Sequence, residues 1–232
     1  MIFFTSNDKL ETQFRVLEKN KKANICIHPV FFINGQEKTI GFHKGNIERF
    51  TYAQDVLNTA GQYSASSSYF FRRNVLDLLP WWFDVAPIGD LFLELYSMNN
   101  SFCVYVPKIL SAYRTYSVGS WRDEVRNGRL ENKIKQYNEI RCFLEKCKVD
   151  LESHLNFDYK MAEITYSQVI LLLRSGKYVE LKAVHLKGNW YKPLSLAKKM
   201  FLKFLLYFPK VCHFLYGLKV LINNRLEQYK SK

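Results

Sequence analysis

The sequence predicts an α/β fold, with strands and helices in the first half and an all-helical extension in the second. Short strand-like runs separated by turn signals lie within residues 1–121, and helical periodicity dominates residues 122–232. We therefore expect an α/β domain over 1–121 and a basic helical region over 122–232. Hydrophobic residues make up 48% of the 232 residues, which excludes a disordered chain and allows a sizeable core.

The first half is expected to begin with a strand at 1–5 and a helix at 9–20. Asn7 and Asp8 are suited to cap that helix, and Leu10, Phe14 and Leu17 share its predicted apolar face. The remaining elements, in order, are a β-rich run at 23–33 that turns at Asn34-Gly35 into a strand at 38–43, a short helix at 51–57, a buried strand at 63–71, a helical turn at 74–79, a helix at 89–98 and strand-like runs at 101–106 and 108–116.

The second half is expected to form helices near 122–147, 150–174, 176–187, 193–206 and 209–229. From Lys182 onward there are eleven basic residues and one acid, Glu227, so this part contributes +10 of the net charge of +13. Such a charge predicts an anionic partner: nucleic acid, a phosphate-bearing substrate or an acidic membrane surface. The apolar, lysine-bearing segment 193–229 suits peripheral membrane contact, and equally a helical hairpin packed on the domain before it.

Several classes of protein are disfavoured by the motifs. The five cysteines show no CxxC spacing and the five histidines no HExxH spacing, so we expect reduced thiols and assign no metal ligand. No nucleic-acid-binding signature is present, and no uncharged run is long enough to span a bilayer. We therefore expect no nucleic-acid partner and a cytoplasmic location, including the inner face of the cytoplasmic membrane.

The most distinctive titratable residue is Asp90, which follows Gly89 at the start of an apolar helix. One interpretation is a capping residue, because the positive end of the helix dipole favours a carboxylate. The other is a general base in a partly dry pocket shaped by the aromatic loop that precedes it, which includes Trp82. Arg114 has two interpretations of its own: a cation that returns to this pocket, or one partner of a surface ion pair.

Several separated motifs occur here in a fixed order. They are the serine-rich segment 66–68 leading to Phe71-Arg72-Arg73, the aromatic loop with Trp82, the acid Asp90, and Tyr113-Arg114-x-Tyr116-x-x-Gly119-x-Trp121. Together they resemble the acceptor half of the family 2 glycosyltransferases, inverting enzymes of the GT-A fold, over roughly residues 5–125. The resemblance implies a partial GT-A-like mixed sheet with helices. It also implies sugar transfer from a nucleotide-sugar to a glycan or lipid-linked acceptor in cell-surface polysaccharide synthesis.

The resemblance also implies roles for individual residues. Asp90 corresponds to the general base. The residues that correspond to the substrate-binding positions are Arg72, Trp82, Tyr113, Arg114, Tyr116 and Trp121. Tyr116 stands where the family often has histidine, which puts the family's mode of diphosphate binding in doubt.

The family also uses a divalent metal, Mg or Mn, held by an Asp-x-Asp motif. Lys9–Gln13 matches the segment that follows this motif, but no intact Asp-x-Asp precedes it, and Asp8 is the one acid there. The chain therefore corresponds to the second half of such an enzyme, and we expect that it does not transfer sugar alone. The alternative is a non-catalytic remnant or a membrane-associated interaction module.

Overall fold

The computed structural model describes residues 2–34, 37–114, 130–151, 154–186 and 188–218. Within these ranges the predicted mixed α/β class is confirmed, and the strands form two four-stranded sheets. The strands are β1 (Ile2–Phe4), β2 (Ala23–Ile27), β3 (Val30–Asn34), β4 (Glu37–Gly41), β5 (Arg49–Thr51), β6 (Phe70–Phe71), β7 (Phe102–Tyr105) and β8 (Ser111–Arg114).

One sheet has the strand order β1-β8-β3-β4 and the other β5-β7-β2-β6. The pairs β2–β7 and β3–β8 are parallel, and the other pairs are antiparallel. The chain passes between the sheets at Pro29 and again in the segment that contains Pro107. Proline cannot donate a ladder hydrogen bond, so the single β-rich run predicted at 23–33 becomes two strands in different sheets.

The helices are α1 (Lys9–Lys19), α2 (Ala53–Leu57), α3 (Gly89–Ser97), α4 (Leu130–Asp150), α5 (Asp158–Arg174), α6 (Tyr178–Leu186) and α7 (Leu196–Tyr207), with a further helical stretch over residues 209–218. Helices α1, α3, α6 and α7 lie within one to three residues of their predicted bounds. α5 begins several residues later than predicted, and the predicted start of α4 at 122 lies outside the described residues.

The apolar face predicted for α1 is wrong. Leu17 is buried as expected, but Leu10 and Phe14 are 52% and 55% exposed, and the helix buries Lys9 and Gln13 instead. The Gln13 amide donates to the Ser68 carbonyl at 2.8 Å, and Lys9 Nζ donates to Gln13 Oε1 at 2.6 Å. A buried carbonyl in the serine-rich segment needs a donor, and this requirement determines which face of α1 turns inward.

The buried strand predicted at 63–71 is also wrong for most of its length. Ser66–Ser68 form a 3₁₀ turn, and only the two residues of β6 pair with β2. Ser68 Oγ donates to the Ala65 carbonyl at 2.6 Å. Serine side chains that bond their own backbone compete with a sheet ladder, which explains the turn. The helical turn predicted before Pro80 is present as a 3₁₀ helix, Arg73–Leu78.

The largest hydrophobic core lies between the second sheet and the helices α3, α4 and α5. It includes Ile25 of β2, Leu95 of α3, Leu144 of α4 and Ile164 of α5. The predicted domain boundary after residue 121 falls in 115–129, outside the described residues. This core nevertheless contains residues from both predicted regions, so the helical region packs directly on the sheet.

A second core joins α5 to the C-terminal helices. Leu202 and Leu205 of α7 and Cys212 of the 209–218 stretch are buried in it. In the described part of segment 193–229, the inner sides of α7 and of residues 209–218 therefore pack as the predicted helical hairpin would, and residues 219–229 lie outside the described residues. Among the described residues, no helix is both long enough and apolar enough to cross a bilayer.

Candidate functional site

A cleft of about 310 Å³ opens between the first sheet and the helices α3, α4 and α5. It combines aromatic walls with acidic and basic groups, as small-molecule sites usually do. The lining residues are Phe32, Phe42, Gly61, Gln62, Tyr63, Ala65, Ser66, Ile88, Asp90, Leu91, Glu94, Tyr113, Tyr137, Ile140, Lys160, Glu163, Ile164 and Ser167.

Asp90 lies in this cleft, in the first turn of α3. The helix begins at Gly89 because Ile88 is extended and Pro87 before it disfavours a helical continuation. Asp90 Oδ1 accepts from the Leu91 N–H at 2.9 Å, and Oδ2 accepts from Gln62 Nε2 at 2.9 Å. Burial raises the pKa of Asp90 above the usual value of an aspartate, although these hydrogen bonds and Lys160 oppose the rise.

Glu94 lies one turn further along α3 and is almost fully buried. Its Oε1 accepts from Ser64 Oγ at 2.5 Å and from the Tyr69 hydroxyl at 2.8 Å. Burial raises the pKa of this carboxyl to about 7, and the charge of Asp90 acts in the same direction. A carboxyl with a pKa of about 7 thus lies one helical turn from Asp90.

Lys160 of α5 supplies the positive charge of the cleft. Its Nζ donates to the carbonyls of Thr59 at 2.7 Å and Gly61 at 2.9 Å. Burial lowers the pKa of Lys160 to about 8, and the nearby carboxylates, Glu94 first, oppose the lowering. Lys160 therefore ties the loop after α2 to the helical region and places a cation beside both acids.

Glu163 lies about one turn after Lys160 on α5, and a lysine of α7 bonds its carboxylate. Lys198 Nζ bonds its two carboxylate oxygens at 2.6 and 2.5 Å. The side chain of Glu163 is only 8% exposed. The pair therefore fixes the position of this carboxylate more firmly than a surface ion pair would.

The aromatic wall of the cleft includes Phe32, Phe42 and Tyr113. The Phe32 ring makes edge-to-face contacts with Phe42 at 5.4 Å and with Tyr113 at 6.0 Å between centroids. Phe42 has a φ of 58°, a conformation that is costly for a bulky residue. Strained residues of this kind concentrate at binding sites, and here the strain accompanies a ring in the cleft wall.

Of the residues predicted to bind substrate, the structure brings Tyr113 together with Asp90 in the cleft. Arg72 lies elsewhere, against the end of α1. Its guanidinium donates to the carbonyls of Leu17 at 2.5 Å and Ala23 at 2.9 Å, and contacts Glu18 at 3.3 Å. The contacts of Arg72 connect elements of the fold, so its predicted substrate role has no geometric support here.

Trp82 also lies away from the cleft, in the core. It is 2% exposed, its indole N–H donates to Asp150 Oδ2 at 3.2 Å, and its ring contacts Phe92 at 5.1 Å. Arg114 is exposed at the end of β8, paired in register with Ile33. Tyr116 and Trp121 fall outside the described residues, so their predicted roles stay predictions.

The divalent metal implied by the resemblance has no fitting ligand set in the described part of the chain. The Asp8 carboxylate accepts from Ser6 and Thr12 and pairs with Lys108. Hydrogen bonds from Lys108 and Ser6 lower the pKa of Asp8 to about 2. Among the described residues, no three His, Cys, Asp or Glu side chains are grouped to hold a metal ion. We therefore derive no step through a metal.

Sequence reasoning missed Gln62, Glu94, Lys160 and Glu163. Glu94 was detectable, because it lies four residues after Asp90 and hence on the same face of a largely apolar helix. Lys160 and Glu163 share a face of α5 by the same spacing rule, but their meeting with α3 depends on tertiary packing between distant segments. No local signal indicates that meeting.

Comparison with known proteins gives no assignment. No family model matches the chain, and no curated protein and no solved structure shows a significant match to it.

Proposed function

We propose that the cleft binds the acceptor of an inverting glycosyl transfer, and that Asp90 is the base that activates it. The supporting observation is the position of Asp90: a partly desolvated carboxylate in the first turn of α3, in a cleft with an aromatic wall. The donor in this proposal is a nucleotide-sugar, and the acceptor is a glycan or a lipid-linked sugar.

An acceptor hydroxyl oxygen attacks the anomeric carbon of the donor sugar, and its proton passes to a carboxylate oxygen of Asp90. The bond between the anomeric carbon and the phosphate oxygen breaks, and the nucleoside diphosphate leaves with the electron pair. Attack from the face opposite the leaving group inverts the configuration. Asp90 releases its proton to solvent after the product departs.

Two features of Asp90 suit it to this role. Each carboxylate oxygen accepts one hydrogen bond within the protein, which leaves a further lone pair for an acceptor hydroxyl. The bond from Gln62 fixes the orientation of the carboxylate. Burial raises the pKa of Asp90, and a general base is more effective when its pKa lies closer to the working pH.

The rest of the cleft matches a sugar in chemistry. The rings of Phe32 and Tyr113 offer apolar surface to the C–H faces of a sugar. Glu94 and Lys160 offer polar groups on the helical side of the cleft, where they suit sugar hydroxyls. The Lys160 ammonium also favours the ionised form of Asp90, which is the form that accepts a proton.

A non-catalytic role of the same cleft is the alternative, and one observation favours it. Both carboxylate oxygens of Asp90 already accept hydrogen bonds from Leu91 and Gln62, as a residue that only orders a helix start would. Asparagine in place of Asp90 keeps one oxygen to accept from the Leu91 N–H, and its NH2 group can donate to the Gln62 amide oxygen once that amide turns over, but asparagine cannot take a proton. The two roles therefore predict different results for Asp90→Asn.

The test measures sugar transfer in extracts of the source cells, in which the native allele is replaced by Asp90→Asn. Radiolabelled nucleotide-sugars are supplied as a panel, and transfer to glycan and lipid-linked fractions is counted. We expect a loss of transfer on the order of 10²-fold or more, because the base contributes about that much to such reactions. Asp84→Asn, an exposed acid in the preceding loop, is the matched control and should transfer normally. Wild-type transfer by Asp90→Asn would refute the proposal.

A further inference from the structure

The outer side of α7 is apolar although it faces solvent. Leu196, Met200, Phe204 and Tyr207 follow one another at helical spacing and therefore form one stripe along the helix. Met200 is 63% exposed and Phe204 44% exposed, whereas Leu202 and Leu205 on the opposite side are buried in the second core. Helix α7 thus presents two apolar faces, and the described part of the protein covers only one of them.

The helical stretch 209–218 repeats this arrangement. Val211, Phe214, Leu215 and Leu218 share a face at the spacing of an amphipathic helix, and all four are exposed. Its other side packs inward through Cys212, which is buried. The rings of Phe204 and Phe208 lie 5.1 Å apart and connect the exposed faces of the two helices. We call the combined exposed apolar faces of α7 and 209–218 the tail surface.

The charges beside the tail surface have one sign. Residues 188–218 contain no acid. Lys198 is engaged by Glu163 on the inner side, whereas Lys203 and Lys210 are exposed and Lys199 is half-buried. In the helical projection, Lys199 and Lys203 lie along one edge of the α7 stripe. An apolar stripe with lysines at its edge matches the boundary between acyl chains and anionic headgroups.

We propose that the tail surface docks on an anionic lipid membrane, with its aromatic and aliphatic side chains in the interfacial layer and its lysines at lipid phosphates. A second copy of the chain fits less well, because a twofold contact through this surface would bring the lysine-rich edges of both copies together. Since no described helix meets the requirements of a span, the helices lie along the surface. None of these side chains lines the cleft, so the proposal is independent of the role of Asp90.

The test is flotation of the full 232-residue chain with vesicles of neutral phosphatidylcholine, with or without about 30 mol% phosphatidylglycerol. We expect flotation with the anionic vesicles and a marked loss in about 0.5 M salt, where headgroup charges are screened. Lys203→Gln combined with Lys210→Gln should weaken partitioning by roughly 25-fold, about fivefold for each lysine. Lys19→Gln with Lys22→Gln, exposed lysines near α1, is the matched control and should float like wild type.

A second pair of variants tests the apolar part of the surface. Phe204→Glu with Leu215→Glu should abolish flotation. Leu10→Glu with Phe14→Glu, the exposed pair on α1, should leave it intact. Circular dichroism of each variant checks folding, and the conservative lysine variants still test the surface if the glutamate variants unfold. No flotation of the wild-type chain at low salt would overturn the proposal, as would flotation that all four variants share. A dimer that Phe204→Glu dissociates, without vesicle binding, would assign the surface to self-association and overturn it too.

Discussion

The buried carboxyl of Glu94 makes the stability of the protein depend on pH in a defined direction. Its pKa rises from an ordinary value of 4.5 to about 7 in the folded state. Between these values the folded protein holds a proton that the unfolded chain has released. The free energy of unfolding therefore falls as the pH rises from about 4.5 to 7, and it stays lower above that range.

The size of this effect follows from the shift. A change in pKa from 4.5 to about 7 corresponds to about 3 kcal/mol, most of which develops between about pH 5 and 8. Glu94→Gln removes the titration and retains an oxygen that accepts from Ser64 and Tyr69. We expect Glu94→Gln to gain stability over wild type as the pH rises.

The assay is urea unfolding of both proteins followed by tryptophan fluorescence, at intervals from about pH 5 to 8. The difference in unfolding free energy between Glu94→Gln and wild type should grow by about 2 to 3 kcal/mol over that range. Glu139→Gln, an exposed glutamate on α4, is the matched control and should show a constant difference. A constant difference for Glu94→Gln would rule out the raised pKa. A carboxyl whose pKa differs between the folded and unfolded states must make the free energy of unfolding change with pH.

Three further results follow from the packing. Arg72→Ala should lower the free energy of unfolding by about 2 kcal/mol in urea titrations, because the carbonyls of Leu17 and Ala23 each lose one donor and the ion pair with Glu18 is lost. Arg73→Ala, its exposed neighbour, should change little, and equal effects would contradict this. Trp82→Phe should cost about 2 kcal/mol through the lost bond to Asp150 and the smaller ring, and an unchanged melting temperature would argue against it. Native maleimide labelling followed by mass spectrometry should modify Cys142 first, since the other four thiols are buried; two equally fast thiols would show that the core is open.

The start of α3 shows what local signals predict well. Pro87, Gly89 and the apolar run after Asp90 are all close in sequence, so the helix and the place of its acid could be predicted to within one residue. The α/β class follows from equally local evidence, namely the distribution of strand-like and helical segments. The hairpin turn signal at Asn34-Gly35 likewise lies between two strands that pair, β3 and β4.

Features that depend on distant partners could not be predicted. Gln13 turns inward on α1 because of the Ser68 carbonyl, which lies 55 residues away, and periodicity alone favoured Phe14. Lys160 belongs to the cleft because α5 packs against the loop after α2, about a hundred residues earlier. A pattern of hydrophobicity contains no information on such pairings. For the same reason, an arginine motif suggested a substrate role for Arg72, and the contacts instead hold α1 to the sheet.

The proposed role of Asp90, to accept the proton of an acceptor bound in the cleft, is tested by comparing sugar transfer and acceptor binding in one variant, Asp90→Asn. Transfer is measured in the cell extract, and binding of the acceptor identified there is measured by saturation-transfer NMR on the purified protein. If Asp90 is the base, transfer falls on the order of 10²-fold or more while acceptor binding is retained. Undiminished transfer by Asp90→Asn would contradict that role and leave Asp90 as a residue that only orders the start of α3.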